Sequence, residues 1–369
     1  MVAILCVLMA GDTTAQIHEE LTGDELYSEV VATYKPNFVE VYTQARVLMY
    51  TEIYNVDNYV QTLYSGHELF LPPDEPLPIQ FLAQDGRANG INAEHIYPRS
   101  KGARPEYGNA FSDLHNLAPT RWAVNEARSN FPFAEVEDRN ATGWFLDNVQ
   151  MLSDRDIPSE DKDLYSEVFD RGGPDGLFEP RETVKGDVAR SAFYFFTMYR
   201  EEAEREDPDY FEQMRAQLCD WHNADPVDTI EMQRNLMKAM VQDGKPNPFV
   251  MDCSLANRMY CPDASAFACQ DITTSIGDEL IEGKEIEPLI QIYPNPNNGI
   301  FTLDITEISP GGYIVDIYQA SGKLLYSLRE DLDYYNSINL WNVKSGMHII
   351  HITDRDTGRK YSGTFQVIK

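Results

Sequence analysis

The apolar residues of this chain change period once. Up to about Asp271 they recur every three or four positions between loops, and beyond Pro288 they alternate every second position in short runs bounded by turn residues. Between the two lies an acidic stretch with few large side chains, Thr273 to Pro288 (TTSIGDELIEGKEIEP), which has the composition of a linker. The expected organisation is therefore α+β. A mainly helical domain over 16–272 is followed by a linker over 273–288 and a small all-β sandwich over 289–369.

The first residues, MVAILCVLMAGDTTAQ, hold an apolar run from Val2 to Ala10 and small residues at Thr13, Thr14 and Ala15. No basic residue precedes the run. Residues 1–15 read as a signal peptide, complete or trimmed at its start, with a short buried strand as the alternative. No later run approaches the ~18 apolar residues of a membrane span. Of five cysteines, Cys6 would leave with the leader. Cys219, Cys253, Cys261 and Cys269 remain, enough for two disulfides in any of three pairings. A zinc site is disfavoured because no Cys-x-x-Cys occurs.

Within the first domain, Tyr27–Tyr54 reads as helical and Val60–Leu71 as a strand. Gly186–Glu206 reads as one strong helix. Another starts at Asp225-Pro226-Val227-Asp228, with Asp225 as the cap, and runs to about Gln242. The second domain offers strands at 301–305, 313–318, 338–341, 347–352 and 363–368.

The net charge of −30 is unfavourable for a polyanion binder, because backbone phosphates reward Lys and Arg. Arg87 to Arg128 is an exception, with six basic residues (Arg87, Arg99, Lys101, Arg104, Arg121, Arg128) against four acidic ones. A positive island on a negative body can hold a polyanion at short range.

That same stretch carries the chemistry. Glu94-His95 lies near the end of a strand, and Pro98 allows the chain to break there so that both side chains serve one site. Asp113 to Leu117 reads as a second short strand. On it Asn116 is expected to pin the His95 loop, and His115 is a weaker candidate ligand. Thr120 should cap a helix from Arg121 to Arg128. On that helix Arg121, Asn125 and Arg128 share one face, a carboxamide for a metal between two guanidiniums able to grip phosphate. A carboxylate, an imidazole and a carboxamide together fit one-metal hydrolysis of a phosphodiester.

The stretch resembles the endonuclease I family of bacterial secreted nucleases, which use the ββα-metal (His-Me finger) motif. The residues that carry the likeness are Glu94-His95-x-x-Pro98, then Ser112 to Leu117 (SDLHNL), then Val124-Asn125-x-x-Arg128-Ser129-Asn130. Lys185 to Arg190, Trp221, Asp225 to Asp228, Glu231, Arg234-Asn235 and Asn247-Pro248-Phe249 extend it, so that it covers most of 27–255. The resemblance implies that Glu94 and Asn125 hold one hard divalent ion, Mg²⁺, with Mn²⁺ or Ca²⁺ able to take its place. It implies His95 as general base, and Arg99, Arg104 or Arg128 at the phosphate. The substrate is then DNA, with RNA left open, cut with little sequence preference to 5′-phosphate and 3′-hydroxyl ends.

The C-terminal region is similar to the type A sorting domain of the type IX secretion system. The matching residues are Ile292-Tyr293-Pro294-Asn295-Pro296-x-x-Gly299, Val315-x-Ile317-Tyr318-x-x-x-Gly322-Lys323 and Gly346-Met347-His348-Ile349-Ile350. It implies export by a Gram-negative bacterium, to the medium or the cell surface, by secretion machinery that the tail meets; the chain is separately expected to be a monomer. Two other functions compete with the nuclease reading: a non-catalytic surface or adhesion protein on the same scaffold, and a phosphodiesterase for another polyanion.

Overall fold

The computed structural model describes residues 17–173 and 175–261, then 290–294, 297–305, 308, 310–319, 324–340, 343–344, 346–355 and 360–367. The expected leader, Cys269 and the linker over 273–288 lie outside the described residues. Helices and antiparallel sheets make an α+β protein with two separate hydrophobic cores, one drawn from Leu26 to Cys261 and one from Ile290 to Val367. No helix among the described residues is long and apolar enough to cross a membrane.

The first core is built round one helix, Lys185–Met198 (KGDVARSAFYFFTM), in which every residue but Asp187 is buried. A helix apolar on nearly all sides belongs inside, and each of its buried phenylalanines contributes roughly 1.5–3 kcal/mol. Its neighbour Tyr210–Ala224 packs alongside, with Phe196 stacked on Phe211 at 3.9 Å between ring centres. Gly186 permits a close crossing, because a Cβ there would lie 2.1 Å from the carbonyl oxygen of Asp225.

Several sequence expectations are corrected here. The helix expected over 27–54 is two, Gly23–Tyr34 and Tyr42–Leu48, the second continuing as a π-helical turn over Met49–Ile53. Pro36 interrupts the run, as a ring without an N–H must. The strand expected over 60–71 belongs to a small sheet of β1 (Asn55–Val56), β2 (Tyr59–Gln61) and β3 (Glu68–Phe70). Its β2–β3 turn uses Gly66 at φ +69. The helix expected over 186–206 breaks at Tyr199 and resumes as Arg200–Glu206. The next is capped by Asp228, whose carboxylate accepts the Glu231 amide, and it spans Thr229–Met240. Asp225 instead accepts the Gly186 amide at 2.8 Å.

The two strands that matter for the site are β4 (Ile91–His95) and β5 (Leu117–Arg121), an antiparallel pair in which Glu94 faces Ala118 and His95 faces Leu117. The helix Trp122–Arg128 follows β5 without a loop. The strand expected over 113–117 is a 3₁₀ turn, Leu114–Asn116, leading into β5. It is tied down by Asp113, which is fully buried and accepts four hydrogen bonds: from Tyr194 at 2.8 Å, Tyr199 at 2.7 Å, and Gln242 and the His115 amide at 2.9 Å each. Beyond the site helix, β6 (Gly143–Leu146), β7 (Val149–Met151), β8 (Ser166–Phe169) and β9 (Leu177–Glu179) form a sheet in the order β7-β6-β8-β9.

The C-terminal strands make two antiparallel sheets that share one core. One is β10 (Gln291–Tyr293), β11 (Ile300–Asp304) and β14 (Tyr335–Asn339), in the order β10-β11-β14. The other is β12 (Gly311–Gln319), β13 (Leu324–Leu332), β15 (Gly346–Asp354) and β16 (Lys360–Val367), in the order β13-β12-β15-β16. The period-two reading of this region matches that architecture.

Cys219 and Cys261 form a disulfide with Cα atoms 5.7 Å apart, and Cys253 is also disulfide-bonded. The bridge closes 42 residues of chain, which by loop entropy stabilises the fold by about 4 kcal/mol at most. Cys261→Ser should therefore lower unfolding free energy in urea, by up to that amount. Asp113→Ala, which strands two buried hydroxyls and two amides, should cost about 3 kcal/mol or more by the same measurement. A loss under about 1 kcal/mol would mean that the knot around Asp113 is not structural.

Candidate active site

The end of β4, the turn after it and the site helix enclose an open cleft of about 650 Å³, lined by Tyr42, Asn92, Ala93, Glu94, His95, Pro98, Arg99, Ser100, Arg104, Pro105, Glu106, Asn125, Ser129 and Asn130. Glu94, His95 and Asn125 thus reach one space, although the first two are neighbours in a strand. They can do so because the ladder ends at His95.

The turn is fixed by Asn116. Its Oδ1 accepts the Tyr97 amide at 2.7 Å and its Nδ2 donates to the Tyr97 carbonyl at 3.0 Å. The Asn116 carbonyl also takes the Ile96 amide at 3.0 Å. A buried carboxamide that mimics a strand partner in this way satisfies the backbone where the ladder stops.

His95 is almost wholly buried, and its Nε2 lies 2.8 Å from the Phe111 carbonyl oxygen. A carbonyl only accepts, so Nε2 carries the hydrogen and Nδ1 keeps a lone pair. Nδ1 has no hydrogen-bond partner among the described residues. The ring packs against Tyr42 at 5.5 Å and Phe111 at 5.2 Å between centres. Burial lowers its pKa from 6.5 to about 4; the Phe111 carbonyl opposes that shift, and Arg99, Arg128 and Arg46 add to it. The imidazole is therefore neutral at ordinary pH.

Glu94 is 3% exposed. Its Oε1 accepts the Tyr64 hydroxyl at 3.1 Å and lies 3.3 Å from Arg128 Nε, close enough for an ion pair though not aligned as a hydrogen bond. Burial raises the Glu94 pKa to about 7, against Arg128, Tyr64 and the His95 amide. Asn125 donates Nδ2 to Asn92 Oδ1 at 2.9 Å and to the Ala93 carbonyl at 3.2 Å. With the nitrogen committed, its Oδ1 is the atom left for the cleft. A carboxylate and an amide oxygen are hard donors of the kind Mg²⁺ takes, so these residues fit such an ion. Elsewhere, a trio of carboxylates, Glu135, Glu179 and Glu182, has oxygens within 4.8 Å of one another. Lys185 Nζ already bonds all three, at 2.8, 2.7 and 2.5 Å, and holds the cation position there.

The arginines are sorted by burial. Arg128 is fully buried under Phe133, and its Nη2 donates to the Ile96 carbonyl at 2.7 Å. It props the Glu94 turn and does not line the cleft. Arg121 precedes the helix and does not share a face with Asn125. It donates to the Ala88 carbonyl at 2.6 Å and the Val149 carbonyl at 3.1 Å, which fixes it away from the cleft. The helix that Thr120 was expected to cap starts at Trp122, whose amide is taken by the Gly90 carbonyl at 2.8 Å, while Thr120 stays in β5 opposite Asn92. Arg104 lines the cleft but is engaged by Glu106 at 2.6 Å and Glu206 at 2.8 Å. Arg99 lines it, is exposed, and has no carboxylate or carbonyl partner among the described residues. His115 is buried elsewhere, its Nε2 2.9 Å from the Lys245 carbonyl oxygen. The sequence reading missed Tyr42, Tyr64, Asn92 and Phe111. Only their aromatic or amide character marked them, and they come together through the fold.

The endonuclease I family model matches residues 13–254, and the secretion system C-terminal sorting domain model matches residues 291–364. An extracellular ribonuclease of Bacillus subtilis is 27% identical over 179 residues, 45% of this chain and 52% of that protein. An extracellular ribonuclease of Bacillus amyloliquefaciens is 27% identical over 178 residues, with the same coverage. An extracellular deoxyribonuclease of Aeromonas hydrophila is 26% identical over 183 residues, 45% of this chain and 68% of that protein. The chain thus spans about half the length of the two ribonucleases.

The buried histidines set a pH test. His95, His115 and His222 are each lowered to about 4, in every case by burial first. Unfolded imidazoles take up protons near pH 6.5 and these folded ones near 4. Between those values the unfolded state binds more protons, and their contribution to stability is lost as pH falls from about 6.5 to about 4. An NMR titration should show His95 still neutral at pH 5.5. A His95 midpoint near 6.5 would contradict the desolvated site.

Proposed function

The chain belongs to the endonuclease I family and is a secreted or cell-surface protein, and from that premise we propose that it hydrolyses phosphodiester bonds of DNA, and of RNA as a second substrate. The observation that carries this reading is the state of His95, a neutral imidazole whose Nε2–H is pinned to the Phe111 carbonyl and whose Nδ1 lone pair is free. In the reaction, Nδ1 takes the proton of the attacking water, and the Phe111 carbonyl steadies the imidazolium that results. Glu94 and Asn125 hold one divalent ion, Mg²⁺, with β4, β5 and the helix Trp122–Arg128 acting as a ββα-metal unit. When bound, that ion stabilises charge on the phosphate and the leaving 3′-oxygen. Tyr64 and Arg128 fix the Glu94 carboxylate, and Asn92 fixes the Asn125 amide, so that both donors are in place before substrate arrives. Arg99, unpaired at the cleft wall, contacts the scissile phosphate. Products carry 5′-phosphate and 3′-hydroxyl ends, and sequence preference is weak because contacts go to the backbone.

Plasmid nicking tests the reading directly. The wild-type chain should nick and linearise plasmid with Mg²⁺ and lose that activity in EDTA, whereas an adhesion protein on this scaffold would leave plasmid intact in both. His95→Ala should lower the rate by roughly 10²–10⁴-fold with folding and Mg²⁺ binding retained. Wild-type cleavage by that variant would rule out the base. Glu94→Gln and Asn125→Ala should shift the Mg²⁺ titration to higher concentration; an unchanged titration would reject them as ligands. Competition by other phosphodiesters against labelled DNA separates a nuclease from a phosphodiesterase of another polyanion.

A further inference from the structure

Arg46 stands beside the site on the helix Tyr42–Leu48, one turn after Tyr42. Its guanidinium carbon lies 4.5 Å from the centre of the Tyr42 ring. Tyr42 lines the cleft and packs on both His95, at 5.5 Å, and Phe111, at 4.3 Å. Arg99 sits over the same Phe111 at 5.2 Å. Two guanidiniums therefore ride on one cluster of rings that contains the proposed base.

Neither of these arginines has a carboxylate or carbonyl partner among the described residues. Arg46 Nε is buried without a hydrogen bond, so contact with a ligand falls to its two terminal nitrogens. The chain holds 60 Asp and Glu against 30 Lys and Arg, so an unpaired arginine runs against its composition. Other cations round the cleft are taken: Lys101 by Asp207 at 2.6 Å, Arg104 by Glu106 and Glu206, and Arg128 by Glu94. Stacking on a ring holds a guanidinium in place while its in-plane N–H groups stay available to a phosphate.

We propose that Arg46 binds the phosphate next to the one that is cut, so that efficient cleavage requires two consecutive charged phosphodiesters. The preferred substrate is then a polynucleotide strand and not an isolated phosphodiester. This rests on the nuclease reading above, in which Arg99 serves the scissile phosphate.

The test uses the wild-type full chain with Mg²⁺ and a thymidine oligonucleotide in which one linkage is a neutral methylphosphonate, with cleavage read bond by bond. A bond adjacent to the neutral linkage, on one side, should be cut roughly 10–100-fold more slowly than distant bonds, the loss expected for one charge-assisted contact. Arg46→Gln should cut the all-phosphate strand more slowly, mainly through a higher KM, and the local dip beside the methylphosphonate should vanish. Its dependence of log(kcat/KM) on log salt should flatten by about 0.7 for a single strand. Adjacent and distant bonds cut alike by the wild type would overturn the proposal without any variant, and so would a dip that persists in Arg46→Gln. A wild type that cuts no bond at all would instead refute the nuclease reading.

Discussion

The cleft depends on a carboxylate that never reaches it. Asp113 gathers the hydroxyls of Tyr194 and Tyr199, the amide of Gln242 and the main chain of His115 into one buried knot. That knot fastens the Leu114–Asn116 turn to the central helix, and Ser191 adds a bond to the His115 carbonyl at 2.7 Å. From there the geometry propagates in both directions. Asn116, held in place, clasps Tyr97 and fixes the turn after His95. The strand β5, started in register, delivers the helix that carries Asn125. A fully satisfied polar network inside a hydrophobic core is rigid because moving any one member unpairs the others.

Burial then separates the charges by task. Arg128 and Arg121 have the same guanidinium as Arg99, but the fold spends them on carbonyl oxygens and on Glu94. Arg104 is shared between two carboxylates. On this strongly acidic chain, Arg46 and Arg99, which have no carboxylate or carbonyl partner among the described residues, are stacked on rings close to a neutral imidazole. A net charge of −30 repels a polyanion at long range, so any hold on one would have to come from short-range contacts.

Much of this was legible in the sequence, and the misses have common causes. The change of period separated the two regions because packing faces repeat with secondary structure. Glu94, His95 and Asn125 stood out because their chemistry is unusual at close spacing, and Asn116 because an amide beside a broken strand has an obvious task. The Arg121 assignment rested on helical spacing, and that of Arg128 on the same spacing together with the family resemblance. Periodicity places residues on one face of a helix but does not say where the helix begins or what covers that face. Thr120 stayed in its strand because the Gly90 carbonyl, distant in sequence, already satisfied the Trp122 amide. Arg46 and Tyr42 were invisible for a related reason, since their relation to His95 exists only after three remote segments fold together.

The bridge between Cys219 and Cys261 has a topological consequence. It joins the helix Tyr210–Ala224 to the last residue of the first described body, so the polypeptide from 219 to 261 is a covalent ring. A protease cutting anywhere beyond Cys261 leaves that ring closed, with its helices still tethered at both ends. In this body, then, cleavage of the chain beyond Cys261 and opening of the ring are chemically independent events.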